Sequence, residues 1–306
     1  MSDECIHGFE DGLCASCFPK PVPEVVAPAP AAAPKRRTRL APSSLREPVS
    51  TAGATSLRTT TTSTTTTTAP RVQPATRPAG GSKQPPFNAG QQRLYHVTHI
   101  RNLEGILADG AIFADESMGW SGDPAVDITA EQYREDRRKT ELAGVPDGTV
   151  SQFVPFALTP HALLWERIRS GEPDYRLSGD ALASAINDFV VLVTTVDAVS
   201  SAVDASDAAE RSIIVTDGDA ARVLTRIAAN KVSAHRMVQR LVNDEDQTAL
   251  IEGEVLVPDN VPFERILVIG VGTVNVRETV KRMVAAAGHK TKVAAYTPWF
   301  QPGAEG

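Results

Sequence analysis

The sequence predicts an α+β domain with a mixed or mostly antiparallel sheet over residues 93–302. Two observations carry this. Short β-branched runs such as Phe189-Val-Val-Leu-Val and Arg265-Ile-Leu-Val-Ile are separated by helical stretches, without the regular βαβ repeat of a parallel sheet. The periodic apolar pattern also begins abruptly at Leu94, after a long stretch with almost nothing to bury.

Leu94-Tyr-His-Val-Thr98 reads as a strand, and Ile100 to Leu107 as a short helix with Gly110 beyond its end. Thr129 followed by Gln132 is a capping-box signature for a charged helix running through Glu141. Val150 to Leu158 is strand-like. Thr159-Pro160 then opens a helix through Ile168, with a Thr cap and Pro at the first helical position. Further strands are expected at Phe189–Val196, Ser212–Thr216, Glu254–Val257 and Arg265–Val271. Helical stretches are expected between them near Ala220–Ala229, Ala234–Val242 and Arg277–Ala287.

Residues 20–92 are Pro- and Ala-rich, then Thr-rich, and cannot offset the entropy of ordering a backbone, so they read as a disordered tether. Charge is distributed unevenly. Residues 1–17 hold four acidic residues and no Lys or Arg, and residues 18–93 hold eleven Lys or Arg against Glu24 and Glu47, which leaves 20 basic and 31 acidic residues for 94–306. The tether is therefore basic and the folded part acidic, so nucleic acid could be attracted only by the tether or by a local patch. The longest apolar run is too short to span a bilayer, and the N-terminus has no secretory pattern, so a reducing cytoplasm is the expected compartment.

All three cysteines fall in Cys5-Ile-His7-Gly-Phe-Glu-Asp-Gly-Leu-Cys14-Ala-Ser-Cys17. Four soft ligands in two close pairs suit one tetrahedral, structural zinc, making residues 1–19 a zinc knuckle that docks nucleic acid or a partner protein. The alternative is a redox pair, Cys14 and Cys17, with Cys5 and His7 incidental.

Within Tyr95-His96-Val-Thr98-His99, the period of two points His96 and Thr98 to one side, where an imidazole and a hydroxyl could bind a ribose or a carboxamide. A buried, satisfied His is the simpler reading of that strand taken alone. Tyr95-His96-Val-Thr98-His99 with Asn102-Leu103, and three later segments in order, change the weighting. These are Arg137-Arg138 followed by Gly148-Thr-Val150 and Phe153-Val-Pro155-Phe156, then Thr216-Asp217-Gly218-Asp-Ala220-Ala221, then Gly253-Glu254-Val-Leu256-Val257. Together they resemble the DarT family of DNA ADP-ribosyltransferases.

The resemblance implies a PARP-like fold that cleaves NAD, here a substrate, and transfers ADP-ribose to a base in single-stranded DNA, with thymine favoured. It implies Glu254 and Arg137 as catalytic residues, with Arg134 or Arg138 as alternatives for the arginine. His96, Thr98, Asn102 and Phe153 would bind NAD. Residues Ala229–Ile251, with Lys231, His235, Arg236 and Arg240, would form the loop that recognises DNA. It further implies a toxin paired with an ADP-ribose-removing antitoxin, or acting in defence against phage. A carboxylate suits this chemistry, because departure of nicotinamide leaves positive charge on the ribose that Glu254 could stabilise, while also accepting a proton from the attacking base.

Two departures from the family keep other readings open. Thr159-Pro160-His161-Ala-Leu stands where the family tends to have a Pro-Arg-Ser-Pro-Met-like segment, and Glu252-Gly253-Glu254 resembles the paired glutamates of arginine-modifying transferases. An enzyme acting on protein or RNA is therefore the runner-up, followed by a non-catalytic zinc-knuckle adaptor.

Overall fold

The computed structural model describes residues 87–204 and 212–302, all within the unit Pro78–Gly306. Cys5, His7, Cys14, Cys17 and the whole Thr-rich segment lie outside the described residues. The last residues of the expected tether, 87–92, are instead ordered, with Phe87 and Ala89 packed on the main core because they offer it apolar side chains.

The chain enters through a 3₁₀ turn into β1 (Arg93–His99), α1 (Asn102–Asp109) and β2 (Ala111–Phe113). A long connection leads to α2 (Glu131–Lys139), β3 (Phe153–Ala157), α3 (Leu163–Ser170), α4 (Gly179–Ala183), β4 (Phe189–Thr195) and α5 (Val196–Asp204). Then follow β5 (Ile214–Thr216), β6 (Ile227–Ala228), α6 (Lys231–Asn243), α7 (Thr248–Glu252), β7 (Glu254–Pro258) and β8 (Asn260–Pro262). The last elements are β9 (Val268–Val271), α8 (Val274–Ala286) and β10 (Lys292–Ala295).

Eight strands make one sheet in the order β10-β9-β4-β1-β3-β7-β5-β6, antiparallel throughout except for the parallel pair β9 and β10. Strands β2 and β8 form a separate ribbon. This is the α+β arrangement the sequence predicts. Side chains alternate across the sheet. One face carries Leu94, Val154, Phe156, Leu192 and Val255 into the main core beneath α1, α5, α6 and α8. The other carries Tyr95, Val191 and Val193 against Trp165 and Ile168 of α3, and Phe153 and Leu256 into a smaller cluster with Leu142 and Val150. Strand β4 is buried along nearly its whole length, which explains its unbroken apolar sequence. Among the described residues no helix is long and apolar enough to cross a membrane.

One irregularity in the sheet creates the site. Strands β1 and β4 are paired at seven positions, Arg93↔Thr195 through His99↔Phe189, but β1 and β3 share only Tyr95↔Ala157. Beyond that pair the two strands diverge and the sheet opens.

Several local expectations are corrected. The Thr129 capping box does not form: Ala130 is the N-cap of α2 without a side-chain bond, because Thr129 is taken into a bridge with Leu177. Thr159 does not cap α3 either. Its hydroxyl accepts from the amide of His161, and the helix begins only at Leu163. The expected helix over Ala220–Ala229 is a turn followed by β6, because the buried Asp219 captures the local backbone and side chains. Its Oδ1 accepts from Ala221 N at 2.9 Å, and its carbonyl accepts from Thr225 Oγ1 at 2.6 Å, leaving Ala220-Ala221 wrapped around a carboxylate. Finally, the expected recognition loop at Ala229–Ile251 is mostly helical, formed by α6 and most of α7.

Candidate active site

A cavity of about 510 Å³ occupies the opening between β1 and β3 and extends along both faces of the sheet. It is bounded by His96 and Thr98 on β1, Pro155 and Phe156 on β3, residues 112–115 and 120–129, the inner face of α2, and Glu254 at the head of β7. By alternation Glu254 shares a face with Ala157 and Tyr95, its register neighbours, whereas His96 points to the opposite face. The splay between β1 and β3 is what allows both to reach one cavity.

Glu254 begins β7 immediately after Gly253, where a Cβ would lie 2.7 Å from the carbonyl oxygens of both Ala249 and Thr216. Glycine is therefore needed for the chain to pass from α7 into β7. The Glu254 amide donates to Thr216 Oγ1 at 3.1 Å, and that hydroxyl donates to Gly218 O at 2.7 Å, tying β7 to the Thr216-Asp-Gly turn.

Arg137 approaches the carboxylate from α2, with Nη1 at 3.4 Å from Oε2 and 3.5 Å from Oε1. Its side chain is only 7% exposed. The other two arginines of this helix are engaged elsewhere: Arg134 with Asp127 at 2.5 Å, and Arg138 with Glu135 at 2.5 Å. The geometry thus separates Arg137 from its neighbours, a choice the sequence leaves open. Tyr133, one turn earlier on the same face, lies beneath the Arg137 guanidinium and donates its hydroxyl to Asp219 Oδ1 at 2.5 Å. Arg137 Nη2 is itself buried and has no hydrogen-bond acceptor among the described residues.

Electrostatics follow from burial. Removal from water raises the Glu254 carboxyl above the usual carboxylate range; Arg137 opposes this, while Asp219 adds to it. Burial pulls Arg137 down, but Glu254 and Tyr133 outweigh it and hold the guanidinium charged. Tyr133 is pushed up, first by burial and then by Glu254, so its phenol stays protonated. His96 is lowered by burial against a smaller opposing effect of its bond to Pro155. Its Nδ1 lies 2.9 Å from Pro155 O, a group that can only accept, so Nδ1 carries the proton and Nε2 is left as an acceptor.

The other expected NAD contacts, Thr98, Asn102 and Phe153, also line the cavity. Thr98 is 4% exposed, and its hydroxyl accepts from Asn102 Nδ2 at 3.3 Å. Asn102 clasps Val126 from both sides, donating to its carbonyl and accepting from its amide, each at 2.8 Å. Asn102 therefore pins the 120–129 wall. Phe153 reaches the cavity but is 2% exposed and packed mainly with Leu142, Val150 and Leu256. The ring beside His96 is Phe156, with centroids 5.4 Å apart. Lys231, His235, Arg236 and Arg240 sit on α6 and do not line the cavity; Arg240 binds Asp217 at 2.9 Å. Among the described residues no group of His, Cys, Asp or Glu could hold a metal ion.

Sequence reasoning missed Tyr133, Asp219 and Thr216 as parts of this site. The signal for Tyr133 was its spacing of one helical turn from Arg137. Asp219 lay inside the turn already noted for its resemblance, without a role.

Comparisons with known proteins give the family and the fold. A DNA ADP-ribosyl transferase of Thermus sp. (strain 2.9) is 31% identical over 83 residues, which is 27% of this chain and 38% of that protein. The alignment therefore spans well under half of that relative's length. Two solved structures share the fold. Thermus sp. 2.9 DarT in complex with ADP-ribosylated ssDNA has a TM-score of 0.55 at 22% identity, covering 68% of this chain and 96% of the other. The same enzyme in complex with NAD+ has a TM-score of 0.53 at 20% identity, covering 70% and 99%. The family model described as "ssDNA thymidine ADP-ribosyltransferase, DarT" matches residues 95–301, well over half of the sequence. This chain belongs to the DarT family.

Proposed function

We propose that the chain transfers ADP-ribose from NAD to a nucleobase of single-stranded DNA, thymine being favoured, and releases nicotinamide. The observation that carries this is the partly buried Glu254 carboxylate, held by the buried Arg137 in the same cavity as His96. In the reaction the bond between the ribose C1′ and the nicotinamide nitrogen breaks, and nicotinamide leaves as a neutral molecule with the bonding electrons. The positive charge on the sugar is stabilised by the Glu254 carboxylate. A nitrogen of the base attacks C1′ and gives up its proton to Glu254, whose raised affinity for protons suits it to the task. Arg137 opposes the protonation of Glu254 that burial favours. The acceptor nitrogen Nε2 of His96 suits a hydroxyl of NAD.

The ligands of the two Thermus sp. 2.9 structures, NAD+ and ADP-ribosylated ssDNA, support the same pair of substrates here. Incubation with labelled NAD and, separately, a DNA oligomer, RNA and a cell lysate tests the assignment. Label on DNA, lost in Glu254→Ala, is the expected result, and label on protein or RNA alone overturns the acceptor. One observation favours protein as a second reading: Glu252 also lines the cavity, two residues before Glu254.

The same reading assigns residues 1–19 to a zinc knuckle held by Cys5, His7, Cys14 and Cys17, residues 20–92 to a basic tether, and residues 93–302 to the transferase. One zinc per full chain, lost in Cys14→Ser, is expected from elemental analysis. A toxin role with an ADP-ribose-removing antitoxin predicts that expression arrests growth and that Glu254→Ala relieves the arrest.

A further inference from the structure

Tyr175 is the only large aromatic among the described residues that is more than half exposed, at 57%, and it stands beside the catalytic pair. The loop that carries it, between α3 and α4, is firmly held. Arg176 binds Asp174 through two bonds of 2.9 and 2.8 Å, and Ala130 N donates to Arg176 O at 2.8 Å. The tyrosine itself meets Tyr133 edge-on at 5.7 Å, and its hydroxyl donates to Asp219 Oδ2 at 3.4 Å. Tyr133 also underlies Arg137 and bonds the same Asp219, so one buried carboxylate holds Tyr175 in fixed relation to the Arg137–Glu254 pair.

This exposure is not required by the fold. A tyrosine that only braced Asp219 would gain stability by covering its ring, as Tyr133 does at 5% exposure. The surroundings favour a polyanion that offers flat rings. Arg222 lies 3.7 Å from the same Asp219, yet remains 59% exposed. Next to it, Val223 and Leu224 are 99% and 94% exposed. An anchored aromatic and an exposed guanidinium thus stand together next to Tyr133 and Arg176, both of which line the Glu254 cavity.

We propose that Tyr175 is a stacking platform for a base of the acceptor strand next to the one being modified, with Arg222 meeting the adjoining phosphate. Aromatic stacking accepts any base, so the platform holds the strand without reading its sequence. The inference rests on the reading of single-stranded DNA as acceptor and adds where the strand lies.

The test uses the full-length protein and a single-stranded DNA oligomer carrying the fluorescent base analogue 2-aminopurine, whose emission is quenched on stacking. Binding is read directly, so the result does not depend on transfer activity. Tyr175→Ala should weaken binding on the order of tenfold and abolish the position-dependent quench. Tyr175→Trp and Tyr175→Phe, which keep a ring but remove the bond to Asp219, should retain most of both. In turnover the Ala variant should raise KM for DNA far more than KM for NAD. Equal binding by Tyr175→Ala and the parent overturns the platform. Equal loss in the Phe and Ala variants also overturns it, because the bond to Asp219 would then be what matters. Absence of label on DNA with binding and quench intact would instead count against DNA as the modified acceptor while leaving the platform standing.

Discussion

Helices α2 and α6 are both rich in basic residues, yet they end in opposite situations. On α2, Arg137 turns inward to 7% side-chain exposure and meets Glu254, while Arg134 and Arg138 bind acidic residues at its flank. On α6, Lys231, Arg236 and Arg240 are exposed; Ala234, Val238 and Leu241 are the residues that turn inward. The difference lies in what each inner face meets. The inner face of α2 borders a cavity that holds the partly buried Glu254 carboxylate, which stabilises an arginine in spite of its desolvation. That of α6 rests on the apolar core, where a charge would have no partner.

The comparison can be broken most directly at its acidic end. Glu254→Gln keeps the shape but removes the charge, and should lower kcat on the order of a hundredfold or more, with a much smaller change in KM for NAD. A fall of less than about threefold would remove Glu254 from the chemistry.

Arg137→Ala should be nearly as damaging, whereas Arg134→Ala and Arg138→Ala should stay within about threefold, because exposed or flanking ion pairs contribute little. The pH profile sharpens this contrast. Glu254 acts in its ionised form and its pKa is raised by burial, so activity should fall on acidification at a higher pH than an exposed glutamate would give. Arg137 holds that pKa down, so its removal should move the acid limb further toward alkaline pH. A limb that stays in place would mean that the pair is not coupled.

Asp219→Asn and Tyr133→Phe disturb the support of Arg137 without touching the carboxylate. Loss of a buried, charge-assisted bond costs about 1–3 kcal/mol. The expected result is a modest fall in melting temperature together with a roughly tenfold loss in kcat, and a fall in stability alone would limit these residues to folding.

The smallest effects belong to α6. Arg236→Glu and Arg240→Glu should leave kcat unchanged and raise KM for DNA by roughly twofold at low salt, fading as salt screens the contact. A large loss of DNA binding, matching that of Tyr175→Ala, would restore α6 as a principal acceptor surface.

The strands were the most legible part of the fold, because β-branched runs such as Phe189–Thr195 and Glu254–Pro258 declare themselves over a few residues. Short edge elements such as β6 and β10 were not, since their stability comes from neighbouring strands rather than from their own composition. Helix starts at Thr129 and Thr159 were misplaced for a related reason: each hydroxyl or backbone found a tertiary or local partner that competed with capping. In the site, Glu254 and His96 were legible through motif and spacing. Tyr133 and Asp219 were not, because a phenol on one helix and a carboxylate in a turn 86 residues later acquire their meaning only from the 2.5 Å bond between them.

Local period and composition were enough to set the order of the main strands along the chain, the α+β character and the placement of a glutamate at the head of a strand. Packing in three dimensions selected which of three arginines meets that glutamate, and parted β1 from β3 after a single pair to open a cavity. Both depend on desolvation and packing between segments far apart in sequence. Such energies exist only once the segments are in contact.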